Sequence, residues 1–125
     1  MPLPFSKAVQ QFLKKYVELD TSRPDGKYYP AAIDLIDQTL TTIGFACEQV
    51  KIPKQIAEGP NRVHLVARRN FSKELPTLVI YNHIDVVPAH YDKAFVFSSD
   101  TRKIYGRGTC DHKGSTAAVI SALEQ

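Results

Sequence analysis

The chain has 125 residues, of which 43% are hydrophobic and 23% are charged, and its formal net charge is +3. This balance is typical of one globular domain and argues against disorder. No run of lysine and arginine is interleaved with aromatic residues, so we do not expect nucleic-acid binding.

Two helices are predicted in the first third of the chain. An apolar stripe with spacings of three and four residues predicts a helix over residues 5–19. Its members are Val9, Phe12, Leu13, Tyr16 and Val17. After a polar loop, a second helix is predicted from Pro30, which the first helical turn tolerates, to Gly44, a typical residue just past a helix end.

The rest of the chain alternates strand patterns with turns and ends in a helix of small residues. The predicted strands and hairpin arms cover residues 45–52, 62–68, 78–81, 95–97 and 103–105, and the last helix covers residues 115–125. Residues 78–81 form a continuous apolar run, which predicts a central strand covered on both faces. The order of elements indicates an α/β fold on a mixed sheet.

Membrane insertion and secretion are not indicated. Residues 1–16 lack the unbroken apolar stretch of a signal peptide or a membrane span. Cys47 and Cys110 are far apart and have no CxxC spacing, which disfavours a disulfide framework and a thiolate zinc site. We therefore expect a cytoplasmic protein that does not bind a membrane.

His83 and Asp85 follow the predicted central strand directly. Ligand sites of open α/β sheets form at such strand ends. If the chain stays extended here, both side chains project to the same side, where a metal ligand and its orienting carboxylate could lie. The alternative is structural: the histidine bonds to backbone and the aspartate caps a turn.

Asp111 lies just before the last predicted helix, after the flexible pair Gly106 and Gly108. It could bind a ligand, or it could simply cap the helix. A phosphate-binding loop is not indicated, because Lys113, Gly114 and Ser115 stand in the wrong order for a Walker sequence.

Together the two motifs resemble a known family. HIDVVP (residues 83–88) and GRGTCDHKG (residues 106–114) match the patterns HxDVVP and GRGxxDxKG. These patterns are found in the zinc metallopeptidase and amidohydrolase family of aminoacylase, acetylornithine deacetylase, succinyl-diaminopimelate desuccinylase, carnosinase and glutamate carboxypeptidase. Weaker similarities extend the resemblance over nearly the whole chain.

The resemblance implies a role for each site residue. His83 would bind one zinc ion, Asp111 would bridge two, and Asp85, a catalytic-site residue without metal contact, would orient the imidazole of His83. Two Zn²⁺ ions, or Co²⁺ or Mn²⁺ in their place, would activate a metal-bound water for amide hydrolysis. A cis peptide bond is also implied between Asp111 and His112.

Two residues depart from the family pattern. Asn82 stands where the family often has glycine, and His112 stands where an apolar residue is more usual. His112 could be an inert substitution or could compete for metal. His64 and His90 fall on no ligand position of the pattern, so they are expected to be structural or exposed.

The resemblance also implies that residues 1–125 are the truncated amino-terminal portion of one catalytic domain. That domain would be a three-layer α/β/α fold with a mixed, mostly parallel sheet, and its remaining ligands, its general-base glutamate and a dimerising lid domain would lie elsewhere. The expected protein is a di-zinc hydrolase of an N-acyl amino acid or small peptide, with this chain alone inactive. The alternative is a naturally truncated, non-catalytic module that binds a metal or a partner.

Overall fold

The computed structural model describes residues 6–125 and contains three helices and two hairpins within that range. In chain order the elements are α1 (Lys7–Glu18), α2 (Tyr29–Thr42), β1 (Ala46–Lys51), β2 (Val63–Arg68), β3 (Ser98–Ser99), β4 (Ile104–Tyr105) and α3 (Lys113–Leu123). None of the described helices has the length and hydrophobicity that a membrane span requires.

The first helix agrees with the predicted range of residues 5–19, although Phe5 lies outside the described residues. Ser6 caps α1 by accepting a hydrogen bond from the backbone N–H of Val9, 3.3 Å away, which satisfies one otherwise unpaired donor of the first turn. The buried face consists of the five residues of the predicted stripe: Val9, Phe12, Leu13, Tyr16 and Val17. This face packs against α3 and, with residues of α2, forms the core.

The second helix and the first hairpin also confirm the sequence pattern. Pro30 lies in the first turn of α2. Gly44 follows the helix end with φ +91, a backbone conformation that glycine adopts without steric cost. The strands β1 and β2 are antiparallel, in a register that runs from Ala46 opposite Arg68 to Lys51 opposite Val63. The helix α2 packs against both strands.

The second hairpin is shifted relative to its prediction. Ser98 and Ser99, which were assigned to the turn, form β3 and pair with Tyr105 and Ile104 of β4. The carboxylate of Asp100 accepts hydrogen bonds from the backbone N–H groups of residues 102 and 103, at 2.7 and 2.8 Å. These bonds tighten the turn, so the paired residues lie closer to the turn than the apolar residues of the sequence predicted.

The predicted central strand over residues 78–81 is wrong for the described chain. These residues have no regular secondary structure and belong to neither sheet, and Leu78, Val79 and Tyr81 are 80–84% exposed. Within residues 6–125, both sheets are two-stranded and antiparallel, so the predicted mixed, mostly parallel sheet is not present there. The reason is that a strand exists only through hydrogen bonds to a neighbour, and no other part of residues 6–125 pairs with residues 78–81. The coarser α/β prediction holds.

Candidate metal centre

The loop after α1 holds the first motif in place. The hydroxyl of Thr21, which is fully buried, donates to the carbonyl of Ile84 over 2.7 Å. Two backbone bonds link the same segments: Val86 N–H to the Thr21 carbonyl at 3.0 Å, and Arg23 N–H to the Val86 carbonyl at 3.1 Å. His83 and Asp85 are therefore held in an extended segment by a loop, without a complete strand.

Lys113 holds the second motif against α1. Its side chain is fully buried, and its Nζ donates to the carbonyls of Tyr16 and Leu19 at 2.9 and 2.7 Å. These carbonyls lie at the carboxyl end of α1, where cations are favoured. Burial lowers the pKa of the Lys113 ammonium to about 8, an effect that the Asp20 carboxylate opposes. The contact joins the start of α3, and so Asp111, to the end of α1.

His83 and Asp111 lie against each other. Nε2 of His83 is 3.1 Å from Oδ1 of Asp111, although the two residues are 28 positions apart. The other nitrogen, Nδ1, is 3.0 Å from the backbone carbonyl of Asp85 and 3.3 Å from Oδ1 of the same residue. The carbonyl of Asp85 is thus the nearer partner, and the carboxylate that was expected to hold the ring is the second one. That carboxylate also lies 3.7 Å from Nε of Arg23.

This arrangement leaves two acceptors facing each other. Because a carbonyl oxygen only accepts, Nδ1 of His83 carries the proton and Nε2 of the neutral ring carries a lone pair. That lone pair points towards an acidic oxygen of Asp111, so a proton or a cation between them is needed to relieve the repulsion. Two ligands of one tetrahedral zinc ion stand about 3.3 Å apart. The observed 3.1 Å and the donor types therefore fit zinc.

His112 completes a group of three residues that could hold a metal ion. His83, Asp111 and His112 each offer one ligand atom, and these atoms all lie within 4.8 Å of one another. The side chain of Asp111 is 77% exposed, which leaves it open to a ligand from outside the chain. The peptide bond between Asp111 and His112 is cis, as the resemblance implied. His64 and His90 are exposed and do not belong to this group.

The sequence pattern missed two residues that support the centre. Thr21 and Lys113 do not touch the group itself, but they link its two motifs to the end of α1. Lys113 belongs to the second motif, so its place in that pattern was the available signal. Thr21 lies in residues 20–24, one of the weaker similarities to the family, and that was the available signal for it.

Comparisons with known proteins cover the region that contains both motifs. Residues 79–125, which include both motifs, match the family model described as Peptidase family M20/M25/M40. Succinyl-diaminopimelate desuccinylase of Delftia acidovorans is 33% identical over 124 residues, which are 92% of this chain and 30% of that protein. The Rickettsia bellii desuccinylase is 35% identical over 117 residues, covering 89% of this chain and 28% of that protein.

The fold is similar to that of a solved structure. The crystal structure of human carnosine dipeptidase 1 matches 94% of this chain and 27% of its own with a TM-score of 0.73, at 23% sequence identity. The chain thus spans less than a third of the length of each of these three proteins. With both motifs inside the matched region, the chain belongs to the peptidase family M20/M25/M40.

Proposed function

We propose that these residues form part of a di-zinc hydrolase that cleaves an amide or peptide bond of an N-acyl amino acid or a small peptide. The observation that supports this most is the convergence of Nε2 of His83 and Oδ1 of Asp111 at 3.1 Å, one from each motif. Membership of a peptidase family supports the reaction class.

Each residue of the centre has a separate task in this proposal. His83 would hold one zinc ion, and Asp111 would be a carboxylate ligand to both. Asp85 orients the imidazole of His83 through its backbone carbonyl and its carboxylate, 3.0 and 3.3 Å from Nδ1. When bound, the zinc ions, or Co²⁺ or Mn²⁺ in their place, would supply Lewis-acid chemistry that acidifies water and polarises the amide carbonyl.

The complete protein would be larger than this chain. We propose that residues 1–125 are the amino-terminal portion of a three-layer α/β/α catalytic domain with a mixed, mostly parallel sheet. The exposed apolar residues 78–81 would gain strand neighbours in that sheet. The remaining ligands, a general-base glutamate and a dimerising lid domain would lie in other residues, so the 125-residue chain alone hydrolyses nothing.

The substrate class is supported by the desuccinylases, whose name denotes removal of a succinyl group from diaminopimelate. A desuccinylase acts on an acyl group, which suits an N-acyl amino acid. We place the enzyme in the cytoplasm, because the sequence pattern indicates neither secretion nor a disulfide framework.

Substitution of the metal ligands tests the reaction. In the protein as its source cell makes it, His83→Ala and Asp111→Ala should each reduce amide hydrolysis to background, and a chelator should do the same. Asp85→Ala should reduce the rate of amide hydrolysis by only about 10- to 100-fold, because the backbone carbonyl of residue 85 still accepts from Nδ1 of His83. His64→Ala is the matched control and should leave activity unchanged. Full activity of the His83 or Asp111 variant would rule out the assignment.

The alternative is a non-catalytic module of 125 residues that binds only a metal or a partner. The intact mass of the native protein distinguishes the hydrolase from the binding module. A native product near the length of the relatives supports the hydrolase, whereas a native product of this chain's own mass would favour the binding module.

A further inference from the structure

The two residues that depart from the family pattern contact each other. Nδ1 of His112 lies 3.0 Å from Oδ1 of Asn82, although the residues are 30 positions apart and belong to different motifs. The ring of His112 also lies beside the ring of His83, with centroids 4.8 Å apart. The two positions at which this chain differs from the family pattern, residues 82 and 112, are therefore in direct contact.

The contact fixes which nitrogen of His112 is available. The amide oxygen of Asn82 only accepts hydrogen bonds, so Nδ1 of His112 carries the proton, and Nε2 of the neutral ring carries a lone pair. Metal-binding histidines usually have their second nitrogen held by such an acceptor. His83 has the same arrangement: its Nδ1 donates to the carbonyl of Asp85, which leaves Nε2 with the lone pair.

The spacing admits a further ligand. The ligand atoms of His83, Asp111 and His112 lie within 4.8 Å of one another. Ligand atoms on one tetrahedral zinc ion stand about 3.3 Å apart, so the widest spacing must close by about 1.5 Å.

We propose that His112, positioned by Asn82, is a third metal ligand supplied by this chain. The inference rests on the proposed metal centre and extends it, because the family pattern implies only His83 and Asp111 as ligands here. Three protein ligands are the usual number in catalytic zinc sites. The 125-residue chain should therefore bind one divalent ion by itself, more tightly than two ligands allow.

Titration of the 125-residue chain with Co²⁺ tests the proposal without any activity assay. Binding is followed by calorimetry and by the visible absorption of the cobalt ion, which changes with its coordination number and its set of ligands. His112→Ala should weaken binding at least tenfold and change the spectrum. Asn82→Ala should weaken binding several-fold while the spectrum keeps its shape.

Matched variants separate ligation from packing. His112→Phe keeps a ring beside His83 but has no nitrogen, so it should bind Co²⁺ as weakly as His112→Ala. His64→Ala and His90→Ala remove exposed histidines outside the group and should bind as the unchanged chain does. Circular dichroism confirms that each variant is folded.

The outcomes also separate this inference from the proposed function. If His83→Ala and Asp111→Ala abolish binding while His112→Ala or His112→Phe binds normally, the inference is overturned and the two-ligand centre stands. If the unchanged chain binds no Co²⁺, or if binding ignores all three residues, the inference is overturned. The proposed function, whose remaining ligands lie in other residues, is then still decided by the hydrolysis measured for His83→Ala and Asp111→Ala.

Discussion

Gly106 opens the second motif, and the space of its missing side chain is occupied by Val17 of α1. Its φ is +143, and a β-carbon built on it would lie 2.4 Å from Cγ1 of Val17. Carbon atoms in contact prefer about 3.5–4.0 Å. Val17 is fully buried, so its side chain has little room to move in a close-packed core. We expect Gly106→Ala to disturb the packing of this motif on α1.

The cost can be worked out from three contributions. A non-glycine residue at this φ costs about 1–3 kcal/mol, and overpacking a core typically costs about 1–3 kcal/mol. The lower flexibility of alanine in the unfolded chain returns about 0.4–1 kcal/mol. Gly106→Ala should therefore lower the free energy of unfolding by about 1–6 kcal/mol, compared with the about 5–15 kcal/mol typical of a domain.

Gly44 provides the matched control. Its φ is also positive, at +91, but the nearest atom that a β-carbon would meet is Cδ of Arg69 at 4.0 Å. Gly44→Ala should therefore cost only the backbone contribution, about 1–2 kcal/mol. Urea unfolding at 25 °C, followed by circular dichroism, measures both variants. The double variant Gly106→Ala with Val17→Ala should recover about 1–2 kcal/mol relative to the sum of the single variants, because the smaller residue 17 makes room.

Two results would refute this reasoning. The first is that Gly106→Ala costs no more than Gly44→Ala, which would mean that the contact with Val17 relaxes freely. The second is that the Gly106 and Val17 substitutions are additive, which would mean that the two residues do not share the space.

Three further predictions concern the supports of the centre and the exposed apolar segment. The folded chain releases the Lys113 proton near pH 8 and the unfolded chain near pH 10.5, so the free energy of unfolding should rise by up to about 3 kcal/mol between these pH values. In urea unfolding, Lys113→Met should lack that rise. An equal rise in the variant would contradict the prediction. Thr21→Val should lower the free energy of unfolding by about 1–3 kcal/mol, because it leaves the Ile84 carbonyl unpaired. Thr21→Ser keeps the hydroxyl and should lower it by less. Equal decreases for the two variants would mean that the hydroxyl bond is unimportant. The exposed residues 78–81 should make the 125-residue chain self-associate, as measured by light scattering. The double variant Leu78→Lys with Ile80→Lys should self-associate less. A monomeric unchanged chain would contradict the prediction.

Local patterns were sufficient for the regular elements. The buried face of α1 follows from a spacing of three and four residues, and the start and end of α2 follow from Pro30 and Gly44. These features depend on interactions within a few residues, which a sequence displays directly. The strand predicted at residues 78–81 failed because a strand needs a neighbour, and hydrophobicity alone does not say whether one is within reach.

By itself, the sequence determined the helices, the first two strands, the two motifs and the resemblance that singles out His83, Asp85 and Asp111. Only the tertiary structure decided how these residues meet. It placed His83 against Asp111 at 3.1 Å, made the carbonyl of Asp85 the nearer partner of Nδ1, and brought Asn82 to His112. The physical reason is that the first and last of these contacts join residues 28 and 30 positions apart, and their distances depend on the packing of α1 against α3.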